Sequence, residues 1–421
     1  MENVFEIKKR ENLDFILPKK YQIDNIEISR YEVVILIHIY YIEKIQEYIK
    51  YIKNIPDAID VIFTISDNKT EKEIHEQLRN IGHKYCIIYK ENRGRDISAL
   101  LVAAKNELLK YQYIGFLHDK KEKNEFLKKD IDEWNYCLWE NMLGSKKYIN
   151  NIISILKKNR EIGLLVPPIP YTDHLNYGYI NTWGINFNNT IKLANNLLLK
   201  CDLDDNKPPV ALGTVFWAKR SSIEKLLYYQ WNYMDFNPEP LEDDGTISHA
   251  IERILPYVAQ DAGFYTGWVM TDEFAERQIE KQYHIIINAY DLLKRLYRIK
   301  SISEVNECLE YINGLSHFCR DFKDIYIYGT GNNGKNCFIE LNKFGFIPKG
   351  FLISSEKYSS EKYLFGITIQ TFNKLISCSE IQRIGIIIAV QEKYQKEILE
   401  YILRSGMDKK SVYVYKSGLI L

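Results

Sequence analysis

The chain has no apolar run long enough to cross a bilayer as a helix. Its most apolar strip, Val33 to Ile42, is interrupted by His38 and falls short of the roughly 20 residues that a spanning helix needs. It also lacks net charge: 56 Lys and Arg offset 56 Asp and Glu, so no overall field draws in a polyanion and bulk nucleic-acid binding is disfavoured. The seven cysteines (Cys86, Cys137, Cys201, Cys308, Cys319, Cys337, Cys378) are odd in number, widely spaced and without CxxC or Cys/His clustering. That argues against a disulfide framework or a zinc site and fits a reducing cytosol. The opening stretch MENVFEIKKRENLDF has no apolar h-region, so no secretory signal is expected. The expected location is cytoplasmic, at most at the inner face of the membrane. Peripheral contact through Lys-rich stretches at 120–129 or 294–300 competes with the plainer reading of solvated helix faces. Internal repeats and low-complexity segments are missing too. The 32 tyrosines, beside heavy Lys, Ile and Asn usage, read more simply as genome composition bias than as sugar-stacking surfaces.

What is present organises as alternating strand and helix. At 421 residues the chain exceeds one ordinary hydrophobic core, so two units are expected. Glu32 to Ile39 (EVVILIHI) is a β-branched run of the kind buried on both faces of a sheet. Helical patterning follows at 42–54, then a strand at 59–65, a helix at 70–81, a strand at 85–89, a helix at 97–110 and a strand at 113–117. Four such alternations predict a mostly parallel α/β sheet, with ligands gathering beyond the carboxyl ends of the strands. Further on come helices near 129–142 and 145–159, a Pro- and Tyr-rich loop at 167–183, a short apolar segment GTVFWAK at 213–219 and an acidic turn LEDDG at 241–245. The expected domains are an α/β unit over 1–272, a helical connector over 273–322 and a second, smaller Rossmann-like unit over 323–421.

The polar residues after each strand carry the chemistry. FLHDKK at 116–121 ends a strand in His118, Asp119, Lys120 and Lys121. A carboxylate there can hold a divalent cation against a diphosphate, and the lysines can pair with its oxygens. A strand running into a charged turn looks identical. ENRGRD at 91–96 offers Arg93 or Arg95 to grip phosphate and Asp96 to hold a hydroxyl or orient an arginine. The structural alternative is a turn around Gly94, with the charges solvated or capping the next helix. At 236–256, Glu239, Glu242, Asp243 and Asp244 crowd the approach to an amphipathic helix. Helix-dipole capping explains one such carboxylate more easily than four. A base that deprotonates an attacking hydroxyl fits this position, with Asp244 first and Asp243 and Glu239 next. Glu252 and Arg253 are expected to form a supporting ion pair, and His249 to be structural.

The order HIYY (38–41), ENRGRD (91–96), HDKK (118–121), GTVFWAK (213–219) and DGTISHAIER (244–253) resembles the rhamnan synthesis protein F family of bacterial glycosyltransferases. The resemblance covers roughly residues 30 to 270. It implies a GT-A-like nucleotide-sugar-binding fold that transfers a sugar, rhamnose from a dTDP carrier, onto a growing surface polysaccharide or lipopolysaccharide. The implied partners are a nucleotide-sugar donor and a glycan or lipid-linked glycan acceptor. By position, Asp119 stands where this fold class keeps its metal carboxylate, for Mg or Mn, although a lysine follows it in place of the usual Asp-x-Asp. Thr64, Ser66 and Asp67 stand where related folds hold base and ribose, and His38 with Tyr40 follows the first strand.

In the last hundred residues, Gly329-Thr330-Gly331-Asn332-Asn333-Gly334 is a GxGxxG between a strand and a helix, the context of a nucleotide loop. The next strand ends in Ile353-Ser354-Ser355 instead of an acidic ribose ligand, so an NAD-type cofactor is disfavoured and a structural or assembly role preferred. Two other functions follow from different features: a sugar-nucleotide oxidoreductase or epimerase on this loop, needing a Tyr-x-x-x-Lys pair for which Tyr358 and Lys362 are the nearest match, or a non-catalytic scaffold of a polysaccharide assembly complex.

Overall fold

A computed structural model describes residues 14–79, 84–120, 127–169, 183–205, 211–242, 244–297, 301–355, 362–378 and 383–416. The chain divides into two compact units, 1–280 and 281–421. Among the described residues no helix is long and apolar enough to cross a membrane.

The first unit is built on one sheet of eight strands: β1 (Asp14–Leu17), β2 (Val33–His38), β3 (Asp60–Ile65), β4 (Tyr85–Tyr89), β5 (Tyr113–His118), β6 (Ile162–Val166), β7 (Phe216–Lys219) and β8 (Tyr265–Thr271), in the order β1-β8-β6-β7-β5-β2-β3-β4. All neighbours are parallel except β7, which runs antiparallel to both β5 and β6. The predicted parallel alternation is thus present, with one reversed strand in its middle.

The run VVILIH of β2 is apolar throughout because both faces of the sheet are covered. With the period-two alternation of a strand, Val33, Ile35 and Ile37 enter one core while Val34 and Leu36 enter the other. The first core is closed by the helices Ile45–Ile52, Lys128–Leu143 and Lys146–Lys158, where Tyr48 stacks on Trp139 with centroids 4.3 Å apart. The second lies under Phe187–Asn196 and Ile247–Asp261 and the helical stretch after β4. That stretch is not one regular helix: a five-residue π turn, Ala99–Ala103, separates Arg95–Ser98 from Lys105–Leu108.

The second unit has a six-stranded sheet of β9 (Asp324–Tyr328), β10 (Gly350–Ile353), β11 (Tyr363–Leu364), β12 (Ile367–Thr371), β13 (Ile384–Ile388) and β14 (Val412–Val414), in the order β11-β12-β10-β9-β13-β14. Only the β11–β12 hairpin is antiparallel. Of the two helices in the region read as a connector, Ile302–Asp321 places Tyr311, Leu315 and Phe318 in the core of this unit. The other, Asp272–Tyr297, carries the chain across the 280/281 boundary.

Candidate functional site

The sheet order of the first unit fixes where a site can form. From β2 the chain steps outward to β3 and β4, whereas β5 lies on the opposite side of β2. The crevice beyond the carboxyl ends of β2 and β5 is therefore a topological switch point, the place where open α/β sheets bind ligands. His38 and His118 end these strands as register partners, and Asp119 is the next residue.

Asp119 is only 5% exposed, and its Oδ2 accepts from the backbone N–H groups of Tyr40 at 2.9 Å and Tyr41 at 2.5 Å. It thereby ties the loop after β2 to the end of β5. Burial lifts its carboxyl to about 6, against the pull of those two N–H groups and of His118. His38 and Thr64 lie inside the strand ends. The His38 Nδ1 lies 3.0 Å from the Thr64 carbonyl and 3.1 Å from its hydroxyl, and both residues are buried. Burial, with Lys90 nearby, holds the His38 imidazole down to about 3, so it serves as a neutral cross-tie between β2 and β3. Tyr40 stands exposed at the crevice mouth, its hydroxyl accepting from Asn92 Nδ2 at 3.4 Å. The Asp67 carboxylate caps the helix Asn68–Leu78, accepting from the Thr70 N–H and hydroxyl at 2.8 Å each. The Thr70 N–H holds its carboxyl below the usual range.

The loop after β4 separates its two arginines. Arg93 donates from Nε to the Phe236 carbonyl at 2.8 Å and reaches the Met234 carbonyl and sulfur, so its fork clips this loop to 234–236. Gly94 sits beneath the same segment at φ +73°, where an added Cβ would lie 2.5 Å from the Phe236 ring. Arg95 differs. Its side chain is 49% exposed, and its nearest partners are Glu239 Oε1 at 3.7 Å and the Leu241 carbonyl at 3.5 Å. Asp96 turns back toward β5, with Oδ2 lying 3.7 Å from His118 Nε2.

His118 links this cluster to the third group of residues. Its Nδ1 lies 2.9 Å from the Asp119 carbonyl and its Nε2 lies 2.7 Å from the Gly213 carbonyl. The Gly213 N–H and the Thr214 hydroxyl donate to Glu252 Oε2 at 2.8 and 3.2 Å, and Arg253 Nη1 lies 3.2 Å from Glu252 Oε1. This is the expected supporting ion pair. Arg253 Nη2 is 3.8 Å from Asp244 Oδ1, which also accepts from Asn186 Nδ2 at 2.6 Å. Burial raises the Asp244 carboxyl, but Asn186, the Gly245 N–H, Arg253 and His249 together bring it below the usual carboxylate range. Glu239 accepts the Leu241 N–H on Oε2 at 2.9 Å and turns Oε1 toward Arg95. His249 is half-buried against Thr246, capping its own helix.

Asp96, His118, Asp119, Glu252, Arg253 and Asp244 therefore meet through a chain of contacts at one end of the sheet, whereas Asp67 stays at its helix cap. Lys120 lies over the Trp134 ring at 3.3 Å from its centroid. Lys121 and Asp243 lie outside the described residues. Lys90 is the residue that the motif reading missed: it directly precedes ENRGRD, is 7% exposed, and donates from Nζ to the Glu91 carbonyl at 2.7 Å. Burial lowers its ammonium to about 8, although Asp96, Glu239 and Glu91 favour the charge. Among the described residues no three His, Cys, Asp or Glu side chains gather as a metal cage, and one oxygen of Asp119 is already taken by two N–H groups. The donors of the described residues thus do not by themselves complete a cation site.

In the second unit the glycine loop follows β9 and opens the helix Asn332–Lys343. A Cβ on Gly329 would lie 2.6 Å from the Ala389 carbonyl oxygen, and one on Gly334 would lie 2.0 Å from that of Gly329, whereas Gly331 faces open space. Tyr358 lies outside the described residues.

An α/β sheet with charged loops converging at its switch point has the arrangement in which open α/β folds hold their ligands. The sequence profile of rhamnan synthesis protein F matches residues 1–264, and the chain belongs to that family. It is therefore a member of a polysaccharide-synthesis family. It is also 25% identical over 242 residues to the uncharacterized protein WxcX of two strains of Xanthomonas campestris pv. campestris, B100 and ATCC 33913. These matches cover 56% of this chain and 32% of each relative, so the chain spans about a third of the length of the relatives it matches.

Proposed function

We propose that the first unit is a GT-A-like glycosyltransferase that moves a sugar, rhamnose from dTDP-rhamnose, onto a growing bacterial surface polysaccharide or lipopolysaccharide. The observation that carries this reading is the convergence of loops 90–96, 118–119, 213–214 and 239–253 on the β2/β5 switch point. Membership of the rhamnan synthesis family supplies the substrate class. The acceptor is a glycan or lipid-linked glycan, approached from the cytoplasmic side of the membrane.

The reaction has one proton and one leaving group to manage. A carboxylate takes the acceptor hydroxyl proton as its oxygen attacks the anomeric carbon. The bond from that carbon to the phosphate oxygen breaks, and the nucleoside diphosphate leaves with the electron pair. Asp244 is the first choice for the base because it is held ionised and its side chain is 37% exposed. Glu239 is the second, with Oε1 3.7 Å from Arg95 Nε. Arg95 has the exposure to meet the leaving diphosphate with a planar fork, which Arg93 has already committed to backbone carbonyls.

Calorimetry against a panel of nucleotide sugars, with and without Mg or Mn, tests donor binding, and release of nucleoside diphosphate in the presence of acceptor glycan tests transfer. Asp244→Asn is expected to keep donor affinity within about threefold while transfer falls about a hundredfold or more. Unchanged transfer in both Asp244→Asn and Glu239→Gln removes the carboxylate base from the mechanism.

A further inference from the structure

Lys90 is a buried cation whose hydrogen bonding the fold leaves incomplete. It follows β4, with its backbone N–H donating to the Ile65 carbonyl at the end of β3 at 2.9 Å, so it stands at the carboxyl ends of two strands. An ammonium has three donors, and that of Lys90 makes one hydrogen bond among the described residues, to the Glu91 carbonyl. Among the described residues no carboxylate contacts its Nζ. Asp96 points to His118 at 3.7 Å, and Glu239 is held by the Leu241 N–H and faces Arg95. On the β2 side His38, which burial keeps neutral, supplies no counter-charge. A cation taken out of water without a contacting counter-ion is costly to the fold. A ligand anion in the crevice supplies the missing partner.

We infer that Lys90 is the counter-ion for the diphosphate of the nucleotide donor, positioned to receive a phosphate oxygen between loop 91–96 and the Glu239 loop. This inference rests on the glycosyltransferase reading and goes beyond it by naming a binding residue that the motif pattern does not single out. Transfer leaves negative charge on the diphosphate, and a fixed ammonium there stabilises it without rearranging. The charge also makes binding pH-dependent. Free Lys90 loses its proton near pH 8, with Asp96, Glu239 and Glu91 favouring the charged form and His38 facing it uncharged. The bound diphosphate raises that value, so affinity is full below pH 8 and falls as pH rises through it.

The test is calorimetric binding of dTDP, UDP and thymidine to the full chain at pH 7 and pH 9, with Lys90→Met and Lys90→Arg beside wild type and thermal melting of each. Wild type is expected to lose about tenfold in nucleoside diphosphate affinity between the two pH values. Lys90→Met is expected to bind diphosphates about 10- to 100-fold more weakly at pH 7, without the pH dependence and with thymidine binding unchanged. Its melting temperature is expected to equal or exceed that of wild type, since Met fills the same space without a charge. Lys90→Arg is expected to recover much of the affinity and hold it to pH 9. Lys90→Met binding dTDP and UDP as wild type does, or melting markedly lower, overturns the inference and leaves the transferase reading standing. Wild type binding neither diphosphate brings down both.

Discussion

Replacing Asp119 by Asn separates the electrostatic role of this side chain from its shape. The carboxyl is 5% exposed and raised from 3.8 to about 6, a difference of about 2 units, which at about 1.36 kcal/mol per unit is roughly 3 kcal/mol. Because the folded value lies above the unfolded one, the folded protein retains a proton that the unfolded chain has released. Asp119 therefore contributes stability below pH 4 that is lost as pH rises to about 6, with no further change above. An Asn keeps an oxygen to accept the Tyr40 and Tyr41 N–H groups and has nothing to titrate. The stability of Asp119→Asn minus that of wild type is expected to grow by about 2 kcal/mol between pH 4, where the unfolded carboxyl is already more than half ionised, and pH 7. All six tryptophans (Trp134, Trp139, Trp183, Trp217, Trp231, Trp268) belong to the first unit, so tryptophan fluorescence during urea unfolding follows that unit alone. This matters because a chain of two units need not unfold in one step. A difference that stays within about 0.5 kcal/mol across that pH range refutes burial as the dominant influence on this carboxyl.

The two arginines of loop 91–96 are expected to respond in opposite ways. Arg93→Ala removes the bonds to the Phe236 and Met234 carbonyls and should lower stability by about 1–2 kcal/mol in urea unfolding. Arg95→Ala, whose side chain is half exposed, should leave stability within about 0.5 kcal/mol while weakening nucleoside diphosphate binding in calorimetry. In the second unit, Gly334→Ala pushes a Cβ against the Gly329 carbonyl and should cost roughly 3 kcal/mol. Gly331→Ala meets open space and should be nearly neutral, and hydrogen exchange across 324–353 distinguishes the two.

The strands that carry the site were legible because burial on both faces leaves a continuous apolar run, as in VVILIH of β2 and IGFLH within β5. β1 and β8 were not. DFIL lies in a polar lead-in, and YTGWVMT mixes half-buried with buried positions, so neither gives a clean period. β7 was visible as an apolar segment, but its reversed direction depends on pairing with β5 and β6, which are distant in sequence. Within the site, sequence located the loops better than it assigned the roles. Asp67 has the chemistry of a ribose ligand and serves as a helix cap, while Arg93 has the fork of a phosphate ligand and spends it on carbonyls more than 140 residues away. The saturation of a donor is a property of tertiary contacts, and residue type alone does not report it.

That distinction sorts the charged residues of the crevice. A group that the protein already engages through several hydrogen bonds, such as Arg93 or Asp67, has less to gain from a ligand than one that it does not. Arg95 and Lys90 are held by the protein through contacts of a different order: one loosely, at 3.5–3.7 Å, the other by a single carbonyl in a buried setting. Both sit on the loop after β4, beside the strand end that presents Asp119. A diphosphate entering the β2/β5 crevice would therefore complete two cations. On the proposed reading, the leaving-group residues are the cations whose hydrogen bonds the fold leaves open.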